Sequence, residues 1–388
     1  MSAIKAVMYV FSGTGNTLLA ARLIEENMKK YNIETNIYVV RANDAGDFEN
    51  VPNPNNYDVC GFGYPVHASN TPQFFLKFVK SLPEASMKNL GNRAFIFSTA
   101  QSPGKLNSSS SFALCKAIRG IGLIPSIDMH MTMPAYLADK GSKVQAKYMR
   151  IHTEKMSEIL AFKVGNYDFD EIKFKPLPTL FSLITRIEWP GAGAVGKRFS
   201  VDTDKCNACR ICEQICPCAS VTLNKDEIPE FTSRCSICMA CVTACPKHAI
   251  SAGPMNRFAV HGIWNYNELL NDPEIAVSDD IVRRRGDAET VRRHRTYYVN
   301  TAKLHADIFG TEPEAEDASA AAAPESHREK RAQDRRLKIE NRRFRQVATE
   351  NAARKMYELK SFASENQKSK DDIIEQILAE DDDTGRQK

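Results

Sequence analysis

Residues 4–17 read Ile4-Lys5-Ala6-Val7-Met8-Tyr9-Val10-Phe11-Ser12-Gly13-Thr14-Gly15-Asn16-Thr17. The first eight form a short apolar run of the kind that becomes a buried strand. A helix-period pattern follows from about Thr17 to Lys30. Between them, Ser12–Thr17 is a strand-to-helix turn rich in glycine and hydroxyl groups. Glycines let the backbone fold tightly around an anion. Hydroxyls and free N–H groups supply donors, and the helix N-terminus adds partial positive charge. No Lys-Ser/Thr pair follows at the spacing of a nucleotide-hydrolysing loop, and the last glycine of a dinucleotide fingerprint is missing.

Working outward, residues 33–40, 57–63, 92–99 and 123–132 are further candidate strands. Helical patterns lie at 72–81, 111–120 and 142–164. This alternation predicts an open α/β domain with a doubly wound, mostly parallel sheet over residues 1–165. The Ser12–Thr17 loop, in this position, resembles the FMN phosphate-binding loop of the flavodoxin family. That resemblance implies strand order 2-1-3-4-5 with a ligand at the switch point. It also implies flavin-ring contacts from two later loops. In the first, Gly63–Asn70, Tyr64 would stack on the ring beside Pro65, and His67 or Asn70 would bond its edge. In the second, Ser98, Thr99, Gln101 and Gly104 are the candidates. The chain departs from the family in lacking a Trp in the first of these loops and a Tyr in the second. The domain is also basic, with 18 Lys and Arg against 12 Asp and Glu.

Eight of the 11 cysteines form two arrays. The first is Cys206-x2-Cys209-x2-Cys212-x3-Cys216-Pro217, and the second is Cys235-x2-Cys238-x2-Cys241-x3-Cys245-Pro246. Each ligand of the second lies 29 residues after its counterpart, which marks an internal duplication. Three cysteines at this spacing wrap one cubane iron–sulfur cluster, and the fourth, before proline, ligates the other cluster of a pair. One cluster is therefore expected on Cys206, Cys209, Cys212 and Cys245, and the second on Cys216, Cys235, Cys238 and Cys241. A four-cysteine zinc ribbon is the alternative, but it pairs two C-x2-C knuckles rather than two triplets. Residues 199–252 closely resemble the bacterial-type ferredoxins with two 4Fe–4S clusters. Cys218 is extra and reads as a small packed side chain, as do Cys60 and Cys115.

Residues 166–198 read as a proline-containing connector. Its apolar part, Leu177–Trp189, is expected to dock. Gly191-Ala192-Gly193-Ala194-Val195-Gly196 matches a dinucleotide-binding string but leaves no room for the helix and strand that motif needs, so it reads as a flexible linker. Residues 253–388 form a charged extension, in which 311–326 is a low-complexity linker. Trp264, Tyr266 and the stretch 297–309 have the composition to pack on something. Residues 327–360 hold 12 basic and 5 acidic residues and read as a solvated or partner-docking helix.

A net charge of +4 over 388 residues gives no argument for nucleic acid or an anionic surface. No apolar run reaches the length of a membrane span, and no signal peptide is expected at Met1. Crowded cysteines without a secretion signal favour cluster binding in a reducing, cytoplasmic compartment. The whole arrangement looks like the flavodoxin–ferredoxin fusion proteins of anaerobes. It implies a low-potential electron-transfer protein passing electrons between two 4Fe–4S clusters and FMN, with redox proteins as partners. Two alternatives stand beside it: an FMN-dependent reductase of a small acceptor fed by the clusters, and a ferredoxin on a flavin-free docking domain.

Overall fold

The computed structural model describes residues 3–86, 92–103, 105–135, 142–174, 176–186, 188–258, 264–275, 291 and 293–310. The expectations for residues 311–388 lie outside these.

Five parallel strands form the central sheet: β1 (Ile4–Val10), β2 (Ile33–Val39), β3 (Val59–Pro65), β4 (Arg93–Ala100) and β5 (Ile124–Thr132). Their order is β2-β1-β3-β4-β5, the flavodoxin-like arrangement expected from the sequence. The central strands are buried on both faces, which is why they read as continuous apolar runs. β2, at the edge, alternates and is only partly buried. The strands are joined through α1 (Asn16–Lys29), α2 (Gln73–Ser81) and α3 (Phe112–Gly120), and α4 (Lys143–Gly165) follows β5. Val7, Tyr9, Phe62, Tyr64 and Phe75 build the core on one face of the sheet. Met8, Val10, Ile24, Phe97 and Leu160 build it on the other. Ser142 caps α4, its hydroxyl accepting the Gln145 N–H at 3.1 Å.

The segment read as a connector is largely helical. α5 (Pro176–Thr185) leaves Leu177, Leu180 and Ile184 exposed and docks instead through polar groups. Ser182 Oγ donates to Asn70 Oδ1 at 2.7 Å, and Thr179 Oγ1 donates to Ser109 Oγ at 3.2 Å. The expected flexible linker at 191–196 is part of α6 (Glu188–Gly196). Its glycines answer a packing need. A Cβ on Gly193 would lie 2.4 Å from the Ser233 carbonyl oxygen, and one on Gly196 would lie 2.1 Å from Cys235 Cβ.

The cysteine-rich module contains β6 (Ser200–Val201), α7 (Ile211–Ile215), β7 (Val221–Leu223), β8 (Pro229–Phe231), α8 (Ala240–Ala244) and β9 (Ile250–Ser251). β6 pairs with β9 and β7 with β8, both antiparallel. The duplication extends to backbone conformation. Ala208 and Ile237 have φ of 55° and 50°, Arg210 and Met239 of 63° and 64°, and Ala219 and His248 of 46° and 48°. Each pair is again 29 residues apart. Left-handed backbone is costly for these side chains, most of all for a β-branched isoleucine. Its recurrence at equivalent positions shows that both loops are built to one shape.

The C-terminal extension returns to the first domain as α9 (Tyr266–Asn271) and α10 (Arg295–Phe309). Tyr298, 1% exposed, packs on Tyr148, Met149 and His152 of α4. Leu269 and Ile275 cover Ala146. No described helix is long and apolar enough to cross a membrane.

This packing makes α10 part of the domain. Tyr298→Ala should cost about 3 kcal/mol in a denaturant titration, because a large buried ring leaves a cavity against α4. Leu304→Ala, at a position 39% exposed, should cost less than about 1 kcal/mol.

Candidate functional site

A cleft of about 310 Å³ opens at the carboxyl ends of β1, β3, β4 and β5. It sits at the point where the strand order reverses, where open α/β sheets place ligands. Its floor is the loop after β1, with Ser12, Gly13, Thr14, Asn16 and Thr17. Pro65, Val66, His67 and Ala68 follow β3; Thr99, Ala100 and Gln101 come from the end of β4; and Met133–Ala135 follow β5. Ile237, Cys238 and Met239 of the cysteine-rich module, with Met255, complete the wall. None of the described lining residues is Lys, Arg, Asp or Glu.

The floor is held from several directions. Gly15, at φ 92°, precedes α1 in a conformation that favours glycine. Ser12 Oγ accepts the Leu18 N–H at 3.3 Å, and Thr17 Oγ1 lies 2.7 Å from Thr99 Oγ1. Asn16 Nδ2 donates to the Pro134 carbonyl at 2.8 Å. Tyr266 Oη of the C-terminal extension donates to Asn16 Oδ1 at 3.1 Å. Among the described residues, the backbone N–H groups of Thr14, Gly15, Asn16 and Thr17 have no acceptor. They are the donors a phosphate would take.

Three expected ring contacts are turned elsewhere. Tyr64 shares its side of β3 with Cys60 and Phe62, since alternate strand residues face alternate sides. It is fully buried, stacks on Phe75 and meets Ser110 Oγ at 3.0 Å, so it cannot stack on a ligand in the cleft. Asn70 is also fully buried, and its amide is consumed by Ser182 and Thr185 of α5. Ser98 pairs with His130 Nδ1 at 2.8 Å, away from the cleft. Gly104 lies outside the described residues. Pro65, His67, Thr99 and Gln101 do line the cleft. Burial pushes the His67 imidazole down to about 4, while a hydrogen bond to the Ser236 backbone opposes the shift. His67 is therefore neutral near pH 7.

The structure gathers the eight array cysteines around two voids. Cys216, Cys235, Cys238 and Cys241 line one of about 20 Å³, together with Cys218. Cys206, Cys209, Cys212 and Cys245 line the other, also of about 20 Å³. Each void thus draws three cysteines from one array and the last from the other. The Ser220 N–H donates to Cys216 Sγ and the Ala249 N–H to Cys245 Sγ, both at 3.3 Å. The Ile237 N–H reaches Cys235 Sγ at the same distance. Burial pushes the Cys212 and Cys235 thiols up to about 11, and those of Cys238 and Cys241 higher still. Ionising such buried thiols calls for a compensating cation. No three His, Cys, Asp or Glu among the described residues close around one metal ion.

The two sites touch, and nothing in the sequence foretold it. Cys238 and Met239 line both the cleft and the first void. A Cβ on Gly13 would lie 2.7 Å from Cys238 Cβ and from its carbonyl oxygen, so only hydrogen fits between loop and cysteine. Around this contact the modules are tied by Arg41 to the Gln214 and Ile215 carbonyls, by the Ala42 N–H to Pro217, and by Arg234 to the Asp44 carbonyl.

Burial of titratable groups in the first domain sets an acid limit. His67 and His130 are pushed down to about 4 and His152 to about 3. An unfolded chain protonates these near pH 6.5, so it binds more protons than the fold, and stability falls with pH below that point. Asp128, raised to about 6 by burial, acts the other way between about pH 4 and 6, with one proton against three. Denaturant midpoints measured from pH 7 to pH 4.5 should therefore decline, and His152→Gln should flatten the decline.

No protein-family model and no curated protein matches the chain. Solved structures match the first domain. A flavodoxin from the domain Archaea is 14% identical with a TM-score of 0.28, covering 42% of this chain and 99% of its own. The NAD(P)H:quinone oxidoreductase of Methanothermobacter marburgensis is 11% identical with a TM-score of 0.30, covering 42% and 99%. The general stress protein 14 of Treponema denticola, solved in complex with FMN, is 8% identical with a TM-score of 0.29, covering 42% and 98%. Likenesses this distant assign no activity.

Proposed function

We propose that the protein is an electron carrier that passes low-potential electrons between two 4Fe–4S clusters and an FMN bound in the cleft. The observation that carries this reading is the sharing of Cys238 and Met239 between the cleft and one cysteine cage. Two cofactor sites on one chain need not communicate, but a common wall leaves no protein layer to cross.

The residues fit both groups. The free N–H groups of Thr14–Thr17 and the Thr14 hydroxyl suit a terminal phosphate, and Gly15, with open space where a Cβ would be, leaves room for it. Pro65, His67, Thr99 and Gln101 would flank the ring system. Each cage offers four thiols drawn crosswise from the two arrays, as a two-cluster module requires. A zinc ribbon would pair two C-x2-C knuckles around one ion, whereas each cage here draws three cysteines from one array and one from the other. When bound, FMN exchanges one or two electrons and each cluster one. The chain contributes position and dryness. Met133, Ile237, Met239 and Met255 wall the cleft with apolar surface, and neutral His67 adds no fixed charge. Redox proteins are the proposed partners.

Anaerobic purification should yield one FMN and about eight irons per chain. Thr14→Val should weaken FMN about tenfold or more, the loss of one hydrogen bond to a charged group. Riboflavin, which lacks the phosphate, should bind both proteins equally. Cys216→Ala should remove the paramagnetic signal of the cluster held by Cys235, Cys238 and Cys241 and spare the other. Equal losses of FMN and riboflavin affinity, or loss of the other cluster, would contradict the assignments.

A further inference from the structure

Arg41 lies just beyond β2, in the flavodoxin-like domain, yet its side chain serves the cysteine-rich module. Nη1 donates to the Gln214 carbonyl at 2.6 Å and Nη2 to the Ile215 carbonyl at 3.0 Å. The Ala42 N–H donates to the Pro217 carbonyl at 2.9 Å. Residues 214–217, with Cys216 among them, are thus gripped by two consecutive residues of the other module. The planar guanidinium fork fixes the position of its charge more firmly than a lysine would.

That charge has an unusual setting. No carboxylate among the described residues pairs with Arg41. Its bond to the Ile215 carbonyl puts that charge beside Cys216 in the chain; burial lowers its pKa, while Cys216 and Cys238 act in the opposite sense. A partly buried cation without a counter-ion carries a desolvation cost. A cubane on four thiolates is anionic and gains a further negative charge on reduction. A fixed cation beside it stabilises the reduced form more than the oxidised one, and so raises its potential. Among the described residues the outer cage has no cation held in this way. Of the two that line it, Arg210 is half exposed and paired with Glu213 at 3.1 Å, and Lys247 is exposed, so solvent screens both.

We infer that Arg41, supplied by the flavodoxin-like domain, raises the reduction potential of the cluster in the Cys216, Cys235, Cys238 and Cys241 cage, so that this potential depends on module docking. The inference rests on the cofactor assignment proposed above and adds a tuning residue to it. Electrons entering at the outer cage, where Cys209 is exposed, are thereby drawn toward the cluster that borders the cleft.

Arg234 provides an internal control. It also bridges the modules, but its guanidinium reaches the Asp44 carbonyl at 2.6 Å and the turn at Gly46, whereas Arg41 holds the segment that carries Cys216. The test is a redox titration of the full-length, cluster-loaded chain followed by paramagnetic spectroscopy, with iron content measured on every sample. The inner cluster is identified as the signal lost in Cys235→Ser. Arg41→Gln should shift that cluster to lower potential and leave the other in place. Arg41→Lys should restore most of the shift, and Arg234→Gln should move neither. Loss of the inner cluster in Arg41→Gln with retention in Arg41→Lys would equally support a charge role. Unchanged potentials in Arg41→Gln, equal shifts of both clusters, or a failure of Arg41→Lys to restore would overturn the inference. A wild-type chain without two clusters would instead overturn the cofactor assignment, and the inference would fall with it.

Discussion

The contact between Gly13 and Cys238 is the constraint around which the rest of the molecule is arranged. Any side chain at residue 13 would meet Cys238 Cβ and its carbonyl oxygen at 2.7 Å. The loop after β1 and the loop of the second cysteine array are therefore in direct backbone contact. Holding them there requires rigid docking. The chain supplies it with Arg41 and Arg234, each donating to backbone carbonyls of the other module. Hydrogen bonds from charged donors are worth about 1.5–3 kcal/mol each. They also need no partner side chain to be held in place. α6 adds a second clasp, with Gly196 seated against Cys235.

Much of this architecture is legible in the sequence, for identifiable reasons. The five strands lie where apolar runs of β-branched and aromatic residues predict them, because a doubly wound sheet buries its central strands on both faces. The cysteine arrays carry their spacing in the chain itself, and the structure brings together the crossed sets that spacing implies. The positive φ values repeated at 29-residue intervals were not legible, since Ala208, Arg210, Ile237 and Met239 are residues that propensity would never place in left-handed backbone.

The errors share one cause: a polar or aromatic residue near a site is claimed by whatever meets it first in three dimensions. Tyr64 is decided by strand parity, which puts it with Phe62 in the core. Asn70 is taken by α5, 112 residues away in sequence from Ser182. The glycines of 191–196 suggested flexibility, but Gly193 and Gly196 serve close packing within a helix. The C-terminal extension was recognised by composition as able to pack. Its role in securing the loop after β1, through Tyr266 and Asn16, depends on a hydrogen bond 250 residues apart in sequence.

The central claim is that the shared wall at Cys238 makes the two cofactor sites one electron path. The most direct measurement is rapid mixing of the anaerobic, fully loaded protein with a low-potential reductant that reaches the clusters first, following flavin absorbance over a tenfold range of protein concentration. The account predicts a flavin-reduction phase whose rate does not change with protein concentration once cluster reduction is complete. A rate that rises in proportion to protein concentration would mean that electrons pass between molecules, and that the two modules serve separate partners.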